Sequence, residues 1–210
     1  MKTALTMLLA LTAPLTQADG ISLSPYQAEY TITRGGSDYG EGYRMLEASP
    51  DGDWQLRGKT DISWFILSDV RETRSVFTYN EEHQRFDPIE FLYRRTGTGS
   101  DKSFHASFDA DKQEVKNVDS GRFVDINWQG ALYDEASVIE KLRFDVAANN
   151  EPYIYDVIDE KGRANEYRFA VLGEEQISTP YGQLTTVKVE RVRDSNRRQT
   201  YFWFAPELDY

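Results

Sequence analysis

Apolar and polar side chains alternate with a period of two along much of this chain. Tyr26, Ala28, Tyr30 and Ile32 fall on one face of a segment whose other face carries Gln27, Glu29, Thr31 and Thr33. Phe104, Ala106 and Phe108 alternate with Ser103, His105 and Ser107, and Thr185, Val187 and Val189 alternate with Thr186, Lys188 and Glu190. Successive side chains of an extended strand point to opposite faces, so this pattern predicts strands with one buried and one wet face. Turn-forming residues separate the strands at Gly35-Gly36-Ser37, Pro50-Asp51-Gly52, Gly97-Thr98-Gly99, Asp119-Ser120-Gly121, Lys161-Gly162, Pro180-Tyr181-Gly182 and Asp194-Ser195-Asn196. Their spacing suits the hairpins of a meandering sheet. Gly40 and Gly42 inside one strand predict a bulge or a sharp bend.

One stretch breaks the alternation. From Leu132 to Val146, the apolar residues Val138, Ile139, Leu142 and Val146 recur at the spacing of a single helical stripe. Asp134 is placed to cap such a helix, and Glu135 suits the positive end of its dipole. Ala147-Ala148-Asn149-Asn150 followed by Pro152 should end it, because Asn tolerates a left-handed cap and Pro cannot continue a helix. With strands elsewhere, the stripe must bury against a sheet face. The predicted fold is therefore mainly β: a single antiparallel, strongly curved sheet or open β-barrel with one α-helix packed against it.

The first residues read differently again. Met1-Lys2 is a short positive region, Ala4 to Leu15 is apolar, and Thr16-Gln17-Ala18 is a small-residue cleavage site. Residues 1–18 are thus expected to be a signal peptide, and 19–210 a single β-rich domain in the periplasm. The apolar run is too short for a resident membrane helix, and no later segment is expected to span a membrane. The chain has no cysteine, which excludes lipoprotein attachment, disulfides, thiol nucleophiles and Cys-bound zinc. Formal net charge is −11, or −12 once Lys2 leaves with the leader. That disfavours nucleic acid and anionic lipid heads as partners.

Little points to catalysis. His83 sits in the polar turn Asn80-Glu81-Glu82-His83-Gln84, with no second histidine at ligand spacing. His105 lies on the polar side of its strand and would need a nucleophile and a carboxylate from elsewhere. Gly97-Thr98-Gly99-Ser100 is too short for a phosphate loop and lacks a following helix. Asp109-Ala110-Asp111 begins like a calcium loop, but Glu114 stands where that loop needs glycine. Arg191, Arg193, Arg197 and Arg198 read as a solvated hairpin end. No enzyme, metal or cofactor is expected.

The stronger candidates are apolar. Trp64-Phe65-Ile66-Leu67 is a consecutive run that either covers both faces of a buried strand or forms an exposed lip. Thr200-Tyr201-Phe202-Trp203-Phe204 and Ile89-Glu90-Phe91-Leu92-Tyr93 share its two-sided character. Ordinary core packing explains such residues most simply. The functional expectation is a groove between curved sheet and helix that holds a lipid or another apolar small molecule, lined by Trp64, Phe65, Ile66, Leu67, Phe91, Tyr93, Val138 and Leu142. The alternative is a cell-envelope interaction module working through a sheet edge or the Trp64–Leu67 lip. A hydrolase would require two carboxylates, or His105 and an acid, brought together in a cleft.

Three further segments carry a likeness. They are Pro25-Tyr26-Gln27-Ala28-Glu29-Tyr30, Ile177-Ser178-Thr179-Pro180-Tyr181-Gly182 through Val192, and Arg198-Gln199-Thr200-Tyr201-Phe202-Trp203-Phe204-Ala205-Pro206 through Tyr210. Through its Thr-Pro-x-Gly turn and Trp-Phe-Ala-Pro segment, the chain resembles a family of exported Gram-negative proteins known only as a domain of unknown function. The likeness spans nearly all of residues 19–210 and brings no catalytic residues with it. Members of that family continue past the position of Tyr210 with another apolar strand, so the resemblance implies that the last hairpin is incomplete here. The layout is also similar, in architecture alone, to periplasmic lipoprotein carriers.

Overall fold

The computed structural model describes residues 21–195 and 197–210. The expected signal peptide lies outside the described residues, as does Asn196 of the last predicted turn. Seven strands follow one another: β1 (Tyr26–Arg34), β2 (Ser37–Ala48), β3 (Trp54–Trp64), β4 (Leu67–Asn80), β5 (Arg85–Gly97), β6 (Lys102–Asp109) and β7 (Glu114–Asn117). Each pairs antiparallel with the next, giving one sheet in sequence order. The alternation in the sequence maps onto this sheet. Tyr26, Leu46, Leu56, Ser75, Phe91 and Ala106 lie across one row of its inner face.

A second sheet follows. It contains β8 (Leu132–Asp134), β9 (Ile154–Ile158), β10 (Ala164–Thr179), β11 (Gly182–Val192) and β12 (Tyr201–Phe204), in the order β12-β11-β10-β9-β8. All its pairings are antiparallel except β8 with β9, which is parallel and bridged by the helix α1 (Ser137–Ala148). The β structure is thus divided between two sheets. Period two tells which residues share a face, but not which strands share a ladder.

The helix starts at Ser137, two residues later than a cap at Asp134 predicts. Leu132–Asp134 is recruited as a strand because it can pair with β9, and all three residues are buried. Asp134 still serves the helix start from two residues upstream of the cap. Its Oδ1 accepts the N–H groups of Ala136 at 2.8 Å and Ser137 at 2.9 Å. The far end is as expected: Asn149 adopts the left-handed conformation (φ 51°), and the Asn150 N–H donates to the Asp145 carbonyl at 2.8 Å.

One apolar cluster joins both sheets and the helix. Val138, Leu142 and Val146 of the predicted stripe are buried in it, and Ile139 is half-buried at its edge. Phe144, outside that stripe, packs against Tyr79 and Phe86 of the first sheet, with ring centroids 5.6 and 5.4 Å away. Gly162, in the β9–β10 turn, faces Phe104 so closely that a Cβ would stand 2.4 Å from the ring.

Buried charges tie the helix to the first two strands. Glu140 Oε1 accepts from Arg44 Nη2 at 2.9 Å and from the Tyr26 hydroxyl, while Glu140 Oε2 accepts from Arg143 Nε at 3.1 Å. Arg143 Nη1 donates to the Asp209 carbonyl at 2.9 Å. The opening and closing segments that carry the family likeness therefore meet on one face of α1. Among the described residues, no helix is long and apolar enough to cross a membrane.

Candidate functional site: an apolar tip on a projecting β-arm

The core does not extend along the whole first sheet. No residue from 57 to 74 is buried, although β3 and β4 stay paired throughout. From the core pair Leu56–Ser75 to the end pair Trp64–Leu67 is eight residues. At about 3.3 Å per residue that is roughly 25 Å, so β1–β4, flanked by the end of β5, project from the body as an arm. Its inner face is thinned by Gly58, Gly42 and Gly40. A Cβ at Gly40 would lie 1.9 Å from the Asp61 carbonyl oxygen, which explains a glycine there. The expected bulge sits beside it, where the register slips between Ile32 and Thr33 and leaves Tyr39 unpaired.

Phe65 and Ile66 form the two-residue turn at the end of the arm. Both are 92% exposed, and Trp64 and Leu67 flanking them are 47% and 46% exposed. Of the two expectations for this run, the exposed lip is what the structure has. Phe65 has φ 53°, a left-handed conformation that bulky side chains rarely adopt. Trp64 meets Phe65 edge-on at 5.2 Å between centroids and stacks on Tyr39 at 6.0 Å.

The turn after β5 braces this tip. Thr98 donates its N–H to the Ser68 carbonyl at 2.8 Å and accepts the Ser68 N–H on its hydroxyl at 2.9 Å. The same hydroxyl donates to the Ile66 carbonyl at 3.4 Å. The loop dismissed as a phosphate site thus supports the apolar turn. Below the tip, Asp69 is clamped by Arg71 (2.9 Å) and Arg95 (3.0 Å). The hydrogen bond from Arg71, with that from Arg95, lowers the Asp69 carboxyl to about 2.

The other expected groove residues lie elsewhere. Phe91, Val138 and Leu142 have no exposure, and Tyr93 is buried too. They are core, far down the sheet from Trp64–Leu67, so the eight residues are not brought together into one groove. In the Thr200–Phe204 segment, Phe204 is buried while Trp203 is exposed and donates Nε1–H to Glu175 Oε2 at 3.0 Å. Two depressions are lined mainly by polar groups. One of ≈ 180 Å³ lies beside Trp128, Asn165 and Glu166. The other, of ≈ 400 Å³, is floored by Asp145, which already accepts from Lys141 (2.6 Å), Asn150 (2.9 Å) and Tyr155 (2.7 Å). A carboxylate so well partnered offers little to a ligand.

The structure does bring acids and a histidine together. His105 Nε2 lies 2.6 Å from Glu90 Oε1, which also receives Arg74. The pair is on the outer face of the sheet, opposite the Phe91–Ala106 row, and among the described residues neither side chain bonds a hydroxyl. Glu135 is the more perturbed group. Burial, then the neighbouring Glu160 carboxyl, raises it to about 7. Glu135 Oε2 accepts the Glu160 N–H at 3.2 Å, and Oε1 accepts the Tyr167 hydroxyl at 3.4 Å. Arg191 stacks over the Tyr167 ring at 3.3 Å, so one arginine of the expected basic patch is engaged. At the expected calcium-like turn, Lys112 Nζ sits 2.5 Å from Asp109. Among the described residues, no group of three potential ligands is arranged to hold a metal.

Among curated proteins no match was found. A crystal structure of a beta-barrel-like protein of domain of unknown function DUF1849 from Brucella abortus is similar in fold, with a TM-score of 0.52 and 14% sequence identity over 86% of each chain. The model of a family described as a protein of unknown function, DUF3108, matches residues 26–210, and this chain belongs to that family.

Proposed function

We propose that this chain is an exported, non-enzymatic binding protein of the cell envelope that engages an apolar partner through the tip of its β-arm. The observation that carries this reading is the exposure of Phe65 and Ile66 at the end of an arm with no buried residue between 57 and 74. Contiguous apolar side chains held out in water favour burial against something else. Burying each would contribute about 1.5–3 kcal/mol. The leader-like residues 1–18 and the absence of cysteine support export as a non-lipidated protein. A lipid carried between sheet and helix has less support, because Val138 and Leu142 are fully enclosed at that place.

Photocrosslinking tests the reading directly. A photoreactive residue at position 66, in cells producing the protein, should give adducts that a probe at the exposed outer-face position Thr78 does not. Absence of any adduct specific to position 66 would discard the tip as a binding surface.

A further inference from the structure

We infer that the occupant of the tip is the headgroup–acyl boundary of a lipid bilayer, into which Phe65 and Ile66 insert. This rests on the binding role just given to the tip. The shape of the tip supports a bilayer over a protein pocket or a free lipid. Phe65 and Ile66 stand at a convex apex, each 92% exposed, and a convex apex can wet into a soft surface but cannot enclose a ligand. Chemistry is layered behind the apex. Trp64 and Tyr39 come next, amphipathic rings of the kind that settle at the membrane–water interface. Arg71 and Arg95, both paired with Asp69, follow on the inner face, so a charged layer lies behind the rings.

Charge fits the same order. The protein as a whole is strongly acidic, with a net charge of −11, which would repel an anionic membrane. The distal segments 30–42, 58–72 and 94–102 carry six lysines and arginines and six acidic residues, hence no net charge. The arm also holds the acidic body roughly 25 Å from the apex. The Debye length is about 8 Å at physiological ionic strength, so repulsion from the body is largely screened at the contact. Net charge alone disfavours lipid heads, and the arm removes that objection.

Phe65 adds an independent indication. In this two-residue hairpin turn φ is positive at the first position and not at Ile66, a turn most easily made with glycine first, which would take φ 53° at no steric cost. A phenylalanine there is strained and touches little but Trp64. Strain of this kind, at an exposed apex, is accounted for by a role outside the folded chain.

The test is co-sedimentation of the exported, leader-processed protein with phosphatidylethanolamine/phosphatidylglycerol vesicles. The variant for comparison is F65G/I66N, which puts glycine at the positive-φ position and a polar turn residue after it, and so should fold at least as well. The wild type should bind, and the variant should bind at least tenfold more weakly. Tyr181→Ser, at the apex of the β10–β11 hairpin and 85% exposed in the wild type, should bind like the wild type. Because the chain has no cysteine, Ile66→Cys can carry a polarity-sensitive dye whose emission should shift to the blue with vesicles. Equal binding by wild type and F65G/I66N would overturn the inference. So would no binding and no dye shift. If a protein adduct still forms at position 66 in cells, the tip remains the binding surface and only the bilayer is wrong; if none forms, both readings fail.

Discussion

At the scale of single residues, two positions concentrate the energetics. Phe65 is held in a conformation that disfavours it, without contacts that would compensate. Phe65→Asn should therefore raise stability by roughly 0.5–1 kcal/mol, read as a higher urea midpoint at unchanged slope. Glu140 is the opposite case, buried and accepting from Arg44, Tyr26 and Arg143. Glu140→Ala strands two arginines near the core and should cost about 3–5 kcal/mol in the same measurement. Neither role was fully legible beforehand. The Trp64–Leu67 run stood out, yet Phe-Ile carries no turn chemistry, so a buried strand and an exposed lip looked alike. Glu140 falls between apolar stripe positions, and only packing against β1 and β2 gives it partners.

At the scale of elements, the sequence was most readable where local chemistry decides. Predicted glycine and proline turns fall at the ends of strands, and Asn149 ends the helix because its short side chain accepts φ 51°. The start of the helix was misplaced because tertiary pairing outweighed periodicity. Leu132–Asp134 leads directly into the helical stripe but pairs with β9 instead. Asp134 belongs to both elements: Ser75 Oγ donates to its Oδ2 at 2.5 Å, and Ala136 and Ser137 N–H groups donate to its Oδ1. Asp134→Ala leaves these buried donors without an acceptor. It should lower the thermal midpoint by the equivalent of about 1–3 kcal/mol. Leu142→Ala, in the stripe itself, should cost about 2–5 kcal/mol, measured the same way.

At the scale of the whole molecule, the mainly β character and the packed helix were foreseeable, and the division into two sheets was not. Glu135 and Glu160 sit where the turn into α1 meets the turn after β9, so they report on that junction. Glu135 is raised to about 7 by burial and by Glu160, so folding favours its protonated form. Its contribution is present below the ordinary glutamate range and is lost as pH rises toward 7. The thermal midpoint of the wild type should fall over that interval more than that of Glu135→Gln, in a series of melts from pH 4 to 8. The Asp69 clamp behaves in the reverse sense. It is present above the ordinary aspartate range and should persist until pH falls to about 2.

The strand order of the first sheet has a consequence for how the molecule is made. Among the described residues, every one of its seven strands is laddered only to its neighbours in sequence. A chain arriving amino end first can therefore close each hairpin as soon as the next dozen residues appear, with short loops and small entropic penalties. The arm and its apolar apex would already exist while α1 is still to come. The contacts that seal the body, Tyr26 and Arg44 on Glu140, span 114 and 96 residues and must wait. The part of the protein assigned to touch a membrane is thus the part that can assemble first, before the body that it projects from is sealed.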